Sequence, residues 1–365
     1  MIHLKEISIK QLICLVIFTQ VGAKVLTIPY EESRNSGYDS WMSVLLGGVI
    51  AQLVILIVYL LGKRYEDRPF PQYVTEITGK PLGLLLNVLF ALYFIESSLM
   101  VLVTYANFIN RWVLFKTPWF VIIALMAATA AYIASSSLRS IAVITETCIL
   151  MFTICFVIVC ISGLGKGDWL HFAPVGSHGL GPIIKDAIPA FWAYAGYERL
   201  LYFSPFVKRH SNKEILIGMS IANGFTTFFY VLISAIVLYN FSEPQLDLVT
   251  EPMVFILRQF KWPMVQNLDI LFMVIWLSMT LVTIYVYLFM SARFLASTLG
   301  RKLGNHALLV WILAFVCFAI GVWFSDRQTL LEFADYHNKA STLIIAGVPT
   351  ILLLVSLARG KAGIR

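Results

Sequence analysis

Long apolar runs alternate along the chain with short connectors that hold most of its Lys and Arg residues. About 20 apolar residues in helical conformation cross the hydrocarbon core of a bilayer. By that measure the pattern predicts ten membrane-spanning runs, at roughly 9–33, 39–62, 82–110, 119–136, 140–163, 182–206, 214–240, 266–298, 305–324 and 340–358. The first, Ile9 to Pro29 at its most apolar, is too long for a signal-peptide core and lacks a small-residue cleavage site after it, so it is expected as a mature span.

Two of the runs are interrupted. Run 1 carries Gln20-Val21-Gly22-Ala23-Lys24 near its middle and closes with Pro29, and run 6 carries Ala195-Gly196-Tyr197-Glu198-Arg199 and closes with Pro205. A charge near the bilayer centre costs at least a few kcal/mol, about 3 for Arg on insertion scales, so these residues must face protein or water. A glycine there is a place for a helix to break, and the freed amides and carbonyls need partners that a bound small molecule can supply. Each interrupted run is the first of five, and the two enter the membrane from opposite sides. The expectation is an all-α integral membrane fold of ten helices, a 5+5 inverted repeat with discontinuous helices 1 and 6. The repeats would cover about 9–163 and 182–358 of a single domain spanning 1–365. Helix termini exposed at such breaks suit a zwitterionic amino acid, carboxylate toward amides and ammonium toward carbonyls.

Composition agrees. With 59% hydrophobic and 13% charged residues among 365, and a mean hydropathy of +0.82, the chain has far more apolar surface than a water-soluble globule can bury. The net charge of +7 does not imply nucleic acid, because the basic residues, Lys24 and Arg199 within runs 1 and 6 apart, fall mostly in connectors where topology requires them. Lys5, Lys10, Lys63, Arg64, Arg68, Lys80, Arg139, Lys208, Arg209, Lys213, Arg293, Arg301, Lys302, Arg359, Lys361 and Arg365 fall on the side of both termini. Arg34, Arg111, Lys116, Lys166, Lys185, Arg258, Lys261, Arg327 and Lys339 fall on the other. Sixteen against nine predicts cytoplasmic N- and C-termini. The five Cys lie in apolar runs without disulfide or metal spacing, and no nucleotide loop, zinc motif or nucleophile elbow occurs, so neither cofactor, metal nor enzyme activity is expected.

Val21-Gly-Ala-Lys-Val-Leu-Thr-Ile-Pro29, Ala195-Gly-Tyr-Glu-Arg-Leu-Leu-Tyr-Phe-Ser-Pro205 and the stretch from Trp276 to Tyr287 resemble the B subunit of bacterial endospore germinant receptors. This is the spore germination branch of the amino acid-polyamine-organocation transporter superfamily, with a LeuT-like fold. Length and span count match over the whole chain. The resemblance implies a germinant sensor in the spore inner membrane, working with an A subunit and a C lipoprotein. In one respect the chain departs from the family: run 1 usually reads Gly-x-Gly, and here the second glycine position is Lys24.

The candidate ligand-binding residues are Gly22, Ala23 and Lys24 from run 1, Glu96 and Ser97 from run 3, Tyr194, Gly196, Tyr197 and Glu198 from run 6, and Thr283 and Tyr287 from run 8. Lys24 either pairs with Glu198 across the two breaks or snorkels to an interface. Arg199, next to Glu198, would point about 100° away from it on a helix and is expected in a structural or subunit-facing role. Thr283 and Tyr287 share a face and meet a ligand opposite the run 6 break, unless Thr283 bonds its own i−4 carbonyl. Tyr194 and Tyr197 offer an aromatic wall with polar tips. Glu146 in run 5 is a proton relay if the protein transports, or else fixes a helix contact. The six His are expected at surfaces or span ends, and Glu251 to Phe260 reads as an amphipathic helix over the far mouth, a lid or a plain connector. Three functions follow: a germinant receptor that binds a small molecule, most simply an amino acid, a proton-coupled amino acid permease, or a scaffold whose cavity is empty or filled by Lys24.

Overall fold

A computed structural model describes residues 6–165, 167–209, 211–260, 267–300, 306–324 and 327–360. Among them Lys5, Lys166, Lys261, Arg301, Lys302, Lys361 and Arg365 of the charge count, and His3 and His210, are not included. The described residues are almost entirely helical: α1 (Ile9–Val21), α2 (Ser40–Lys63), α3 (Phe70–Thr78), α4 (Lys80–Trp112), α5 (Trp119–Ala134), α6 (Leu138–Gly163), α7 (Leu180–Ala193), α8 (Leu200–Phe203), α9 (Asn212–Asn240), α10 (Glu243–Leu248), α11 (Pro252–Gln259), α12 (Leu268–Thr298), α13 (Ala307–Gly321), α14 (Arg327–Ser341) and α15 (Val348–Ala358). Six stretches are long and apolar enough to cross a membrane, Gly37–Lys63, Lys80–Trp112, Leu138–Gly163, Asn212–Asn240, Leu268–Thr298 and Gln328–Ala358. Three apolar helices are shorter, α1, α5 and α13.

Runs 1 and 6 are the ones that do not form single helices. After Val21 the chain turns at Gly22, makes a short 3-10 turn over Lys24–Leu26 and continues through turns to Ser36. After Ala193 it turns at Gly196, makes a 3-10 turn over Tyr197–Arg199 and recovers one helical turn in α8. Run 10 differs in the opposite sense. Its helix starts thirteen residues before the apolar run, with α14, then passes through a π-helical segment at Thr342–Gly347 into α15. The sequence Glu332-Phe-Ala-Asp-Tyr-His-Asn-Lys339 is too polar for hydrocarbon, and it forms helix because that face lies over protein, against α4 and α7.

The long helix α12 forms the axis of the bundle, and α1, α4, α5 and α6 pack on it. From Val282 to Phe294 every residue of α12 is buried, which explains why the run lacks a polar face. On the outside, Leu45, Val49, Leu53, Leu56 and Leu60 of α2 are exposed, as lipid-facing positions are. Where α2 backs onto α7, a Cβ on Gly47 would sit 2.9 Å from the backbone of Ala190 and Phe191, so the close approach requires glycine.

The two interrupted runs are also tied end to end. Ile7, just ahead of α1, donates its amide to the Phe206 carbonyl at 2.9 Å and accepts from the Lys208 amide at 2.9 Å, a parallel bridge at the close of run 6. At the other end, the buried Asp186 of α7 accepts from the backbone amides of Asn35 and Ser36 and from the Ser36 hydroxyl, each at 2.8 Å.

Candidate functional site

The two breaks face each other. Gly22 has φ +34° and Gly196 φ +141°, backbone conformations that side chains with a Cβ adopt only under strain. A Cβ on Gly196 would also lie 2.9 Å from Gln20 Cγ and 2.8 Å from an Arg199 guanidinium nitrogen. Gln20 joins the breaks: its Nε2 donates to the Tyr194 carbonyl at 3.0 Å, while its Oε1 accepts from Thr226 at 2.9 Å. Carbonyls released at the first break find side-chain donors. Trp276 Nε1 donates to Gly22 O at 2.7 Å, the Tyr230 hydroxyl to Gln20 O at 2.8 Å, and the Thr283 hydroxyl to Phe18 O at 3.3 Å. Each of these groups would otherwise lack a partner at membrane depth, a loss of several kcal/mol.

At the second break Glu198 is the clasp. One carboxylate oxygen accepts from the Gly196 amide at 2.7 Å and the other from the Tyr287 hydroxyl at 3.1 Å. Arg199 stands 3.5 Å from the same carboxylate and stacks on the Tyr287 ring, 4.1 Å from its centroid. Both charged side chains are fully buried, and none of the three guanidinium nitrogens has a hydrogen-bond partner among the described residues. Of the structural or subunit-facing roles expected for Arg199, this buried position fits the structural one, although the side chain does not point 100° away from Glu198. A 3-10 turn rather than an α-helix carries the pair, and the Tyr287 ring supplies the favourable surface for the cation.

Above this layer lies a cavity of about 200 Å³. One wall is the first break, Thr19 through Lys24, another is α4, a third is Thr283 and Tyr287 of α12, and the remainder comes from Trp192, Ala193 and Ala195, from Thr250 and Glu251, and from α14. Its mouth is ringed by ion pairs, Lys24 with Glu31 at 2.6 Å and Arg111 with Glu251 at 2.6 Å, and behind the wall His337 Nδ1 is hydrogen-bonded to Glu96 at 2.6 Å.

Gly22, Ala23, Lys24, Ser97, Thr283 and Tyr287 line the cavity. Tyr194, Gly196, Tyr197 and Glu198 form the layer behind it, joined to it through Tyr287. Glu96 does not line the cavity but holds His337, which does. Glu146 stands apart, 2.8 Å from Lys10 and accepting from Gln11 at 3.3 Å, where it fixes α6 to the start of α1. The Lys24–Glu198 pair does not form. Residues 27–36 leave the helical path and fold Glu31 and Glu32 back onto the ammonium, with Glu32 at 3.8 Å. Thr283 bonds the first break rather than relying on its own helix. Glu251 to Phe260 is helical over α11, and Glu251 forms part of the cavity wall.

Gln20, Trp276, Tyr230 and His337 escaped the sequence reading as site residues. Gln20 offered a signal, a carboxamide at membrane depth two residues before the break. His337 offered none, since its surroundings read as a polar connector. Buried His306, whose Nε2 lies 3.2 Å from Ala134 O, is likewise no surface residue.

The sequence model of the family described as spore germination protein matches residues 6–329. Among curated relatives, spore germination protein YndE of Bacillus subtilis is 24% identical over 98% of this chain and 98% of its own. Spore germination protein GerQB of Bacillus cereus is 24% identical over 98% and 97%. Among solved structures, MhsT in complex with L-phenylalanine superposes with a TM-score of 0.69 at 13% identity, covering 98% of this chain and 90% of that one. A manganese transporter of Eremococcus coleocola superposes with a TM-score of 0.61 at 14% identity, covering 96% and 76%. The likeness extends over both interrupted runs, and at these identities it is a likeness of fold.

Proposed function

Since the chain belongs to the spore germination protein family and is a multi-pass membrane protein of transporter-like fold, we propose that it is the membrane subunit of a spore germinant receptor. It binds a small germinant, an amino acid, in the cavity between the two breaks and passes the event to partner subunits, an A subunit and a C lipoprotein. The observation that carries this reading is the double contact of Tyr287, which lines the cavity and donates to Glu198, the residue that holds the second break. A ligand that moves Tyr287 changes the relative stability of two arrangements of the breaks, by as much as its affinity differs between them. In this reading the ten runs form a 5+5 inverted repeat, both termini are cytoplasmic in the spore inner membrane, and the cavity mouth opens on the opposite side.

Two features support an amino acid as the ligand. Both cations at the mouth are already countered, Lys24 by Glu31 and Glu32 and Arg111 by Glu251, so neither calls for an anionic ligand and a net-neutral zwitterion suits the site. MhsT, whose fold the chain shares, was solved with an amino acid. The manganese neighbour's cargo finds less support, since among the described residues no three His, Cys, Asp or Glu side chains converge. A proton-coupled permease would draw on Glu146, whose carboxylate is tied to Lys10 away from the cavity.

Calorimetric titration of the purified protein with amino acids, sugars and nucleosides tests the proposal. An amino acid that binds the native chain and loses at least tenfold in affinity with Tyr287→Leu is the expected result. Binding indifferent to that change, or of no amino acid at all, sinks it.

A further inference from the structure

The inference below rests on the ligand reading above and concerns which amino acid the cavity selects. The hydroxyl of Ser98 donates to Ile284 O at 3.2 Å, and Thr283 reaches the first break at Phe18 O, so Ser97 and Ser98 of α4 stand level with that break. From there α4 climbs the cavity wall through Val101, Thr104, Asn107 and Arg111. Most polar groups on this wall are already engaged. Ser97 donates to Tyr93 O at 2.8 Å and Arg111 is held by Glu251.

Thr104 and Asn107 are the exceptions. The Thr104 hydroxyl is buried with no hydrogen-bond partner among the described residues. Asn107, 8% exposed, lines the cavity, and its carboxamide makes no hydrogen bond among the described residues. Three residues apart on one helix, the two share a face. Their neighbours on the lining are apolar, Met100, Val101, Phe108 and Leu330. A buried donor or acceptor left unmet costs about 1–3 kcal/mol, so a ligand that meets both gains over one that does not.

Distance and charge narrow the ligand. Seven residues of helix separate Ser97 from Thr104, about 10 Å of rise, and helical side chains lean back toward the N-terminus, which shortens the gap. A ligand whose amino and carboxyl groups sit at the first break reaches Thr104 and Asn107 only with a side chain several bonds long. An ionic side chain would arrive without a counter-charge, because Lys24 is held by Glu31 and Arg111 by Glu251. A carboxamide meets both groups: it donates and accepts toward Asn107 and bonds the Thr104 hydroxyl with either atom.

We propose that Thr104 and Asn107 form the side-chain subsite of the cavity and select an amino acid ending in an uncharged hydrogen-bonding group, a carboxamide foremost, over its apolar isostere. Titration of the purified full chain with two matched pairs, asparagine against leucine and glutamine against methionine, reads the selection. In the native protein at least one carboxamide binds about tenfold or more tighter than its isostere, the worth of one or two such bonds. The double variant Thr104→Val with Asn107→Leu brings that ratio to within about threefold of unity by raising affinity for the apolar partner as well as lowering it for the polar one, while Thr104→Ser with native Asn107 keeps the ratio. Thermal melting confirms that each variant is folded. Equal affinities within both pairs in the native protein, or a preference that survives the double variant, overturn the subsite. Binding of no amino acid overturns the ligand reading on which it rests, a result distinct from binding without preference.

Discussion

The cavity is built differently at its two ends. At the mouth, Lys24 and Glu31 form an ion pair with both partners in reach of solvent, of a kind worth about 0–1 kcal/mol because water competes for both charges, while in Arg111–Glu251 only the guanidinium is in reach of solvent. At the floor, Glu198 and Arg199 are sealed from solvent, the guanidinium lacks hydrogen bonds among the described residues, and the pair is backed by the Tyr287 ring, which meets Tyr93 edge-on and stacks on Phe94. Buried charges of this sort cost more to desolvate than their attraction returns, and removing one partner is far worse than removing both. The contrast teaches where the molecule keeps its conformational leverage: charges at the mouth can be exchanged cheaply as a ligand passes, whereas any movement at the floor alters a buried, finely compensated pair.

Glu198→Ala is the sharpest way to break that contrast. It leaves Arg199 buried and unpaired, and about 3–5 kcal/mol of stability should be lost, seen as a large fall in melting temperature or in folded yield. A loss no greater than that of Glu31→Ala would erase the distinction between floor and mouth. Gly196→Leu comes next, since it meets Gln20 and demands φ +141° of a residue with a Cβ. The expected outcome is a germinant response lowered at least tenfold with protein still present in the membrane, whereas loss of the protein would assign Gly196 to folding. Trp276→Phe removes the hydrogen bond to Gly22 O and should cost about 1–2 kcal/mol in thermal unfolding. The smallest effect belongs to the mouth: Glu31→Gln should change stability by less than about 1 kcal/mol, and the difference from the native protein should shrink as salt rises.

Both breaks were legible in the sequence because glycine and charge interrupt apolar runs, and Gly22 and Gly196 do carry the unusual dihedrals. The meeting of Tyr287 with Glu198 was less so. Each residue was chosen on its own grounds, and nothing in the linear order placed them 3.1 Å apart. Lys24 misleads because the apolar run 9–33 sets it at membrane depth opposite the other break, while the partner of its ammonium depends on how residues 27–36 fold back, which the linear order does not show. His337 was hidden for a related reason. A polar stretch beside an apolar run reads as a loop, and only tertiary packing against α4 and α7 shows that it is helix. Asp186, buried and accepting four bonds from residues 35–36, is the same lesson in a carboxylate: the spacing of 150 residues conceals a mooring.

Ile7 clasped between Phe206 and Lys208 has a mechanical corollary. The segment ahead of α1 is bonded to the close of run 6 as well as joined to run 1, so a displacement of Ile7 is shared by both interrupted runs.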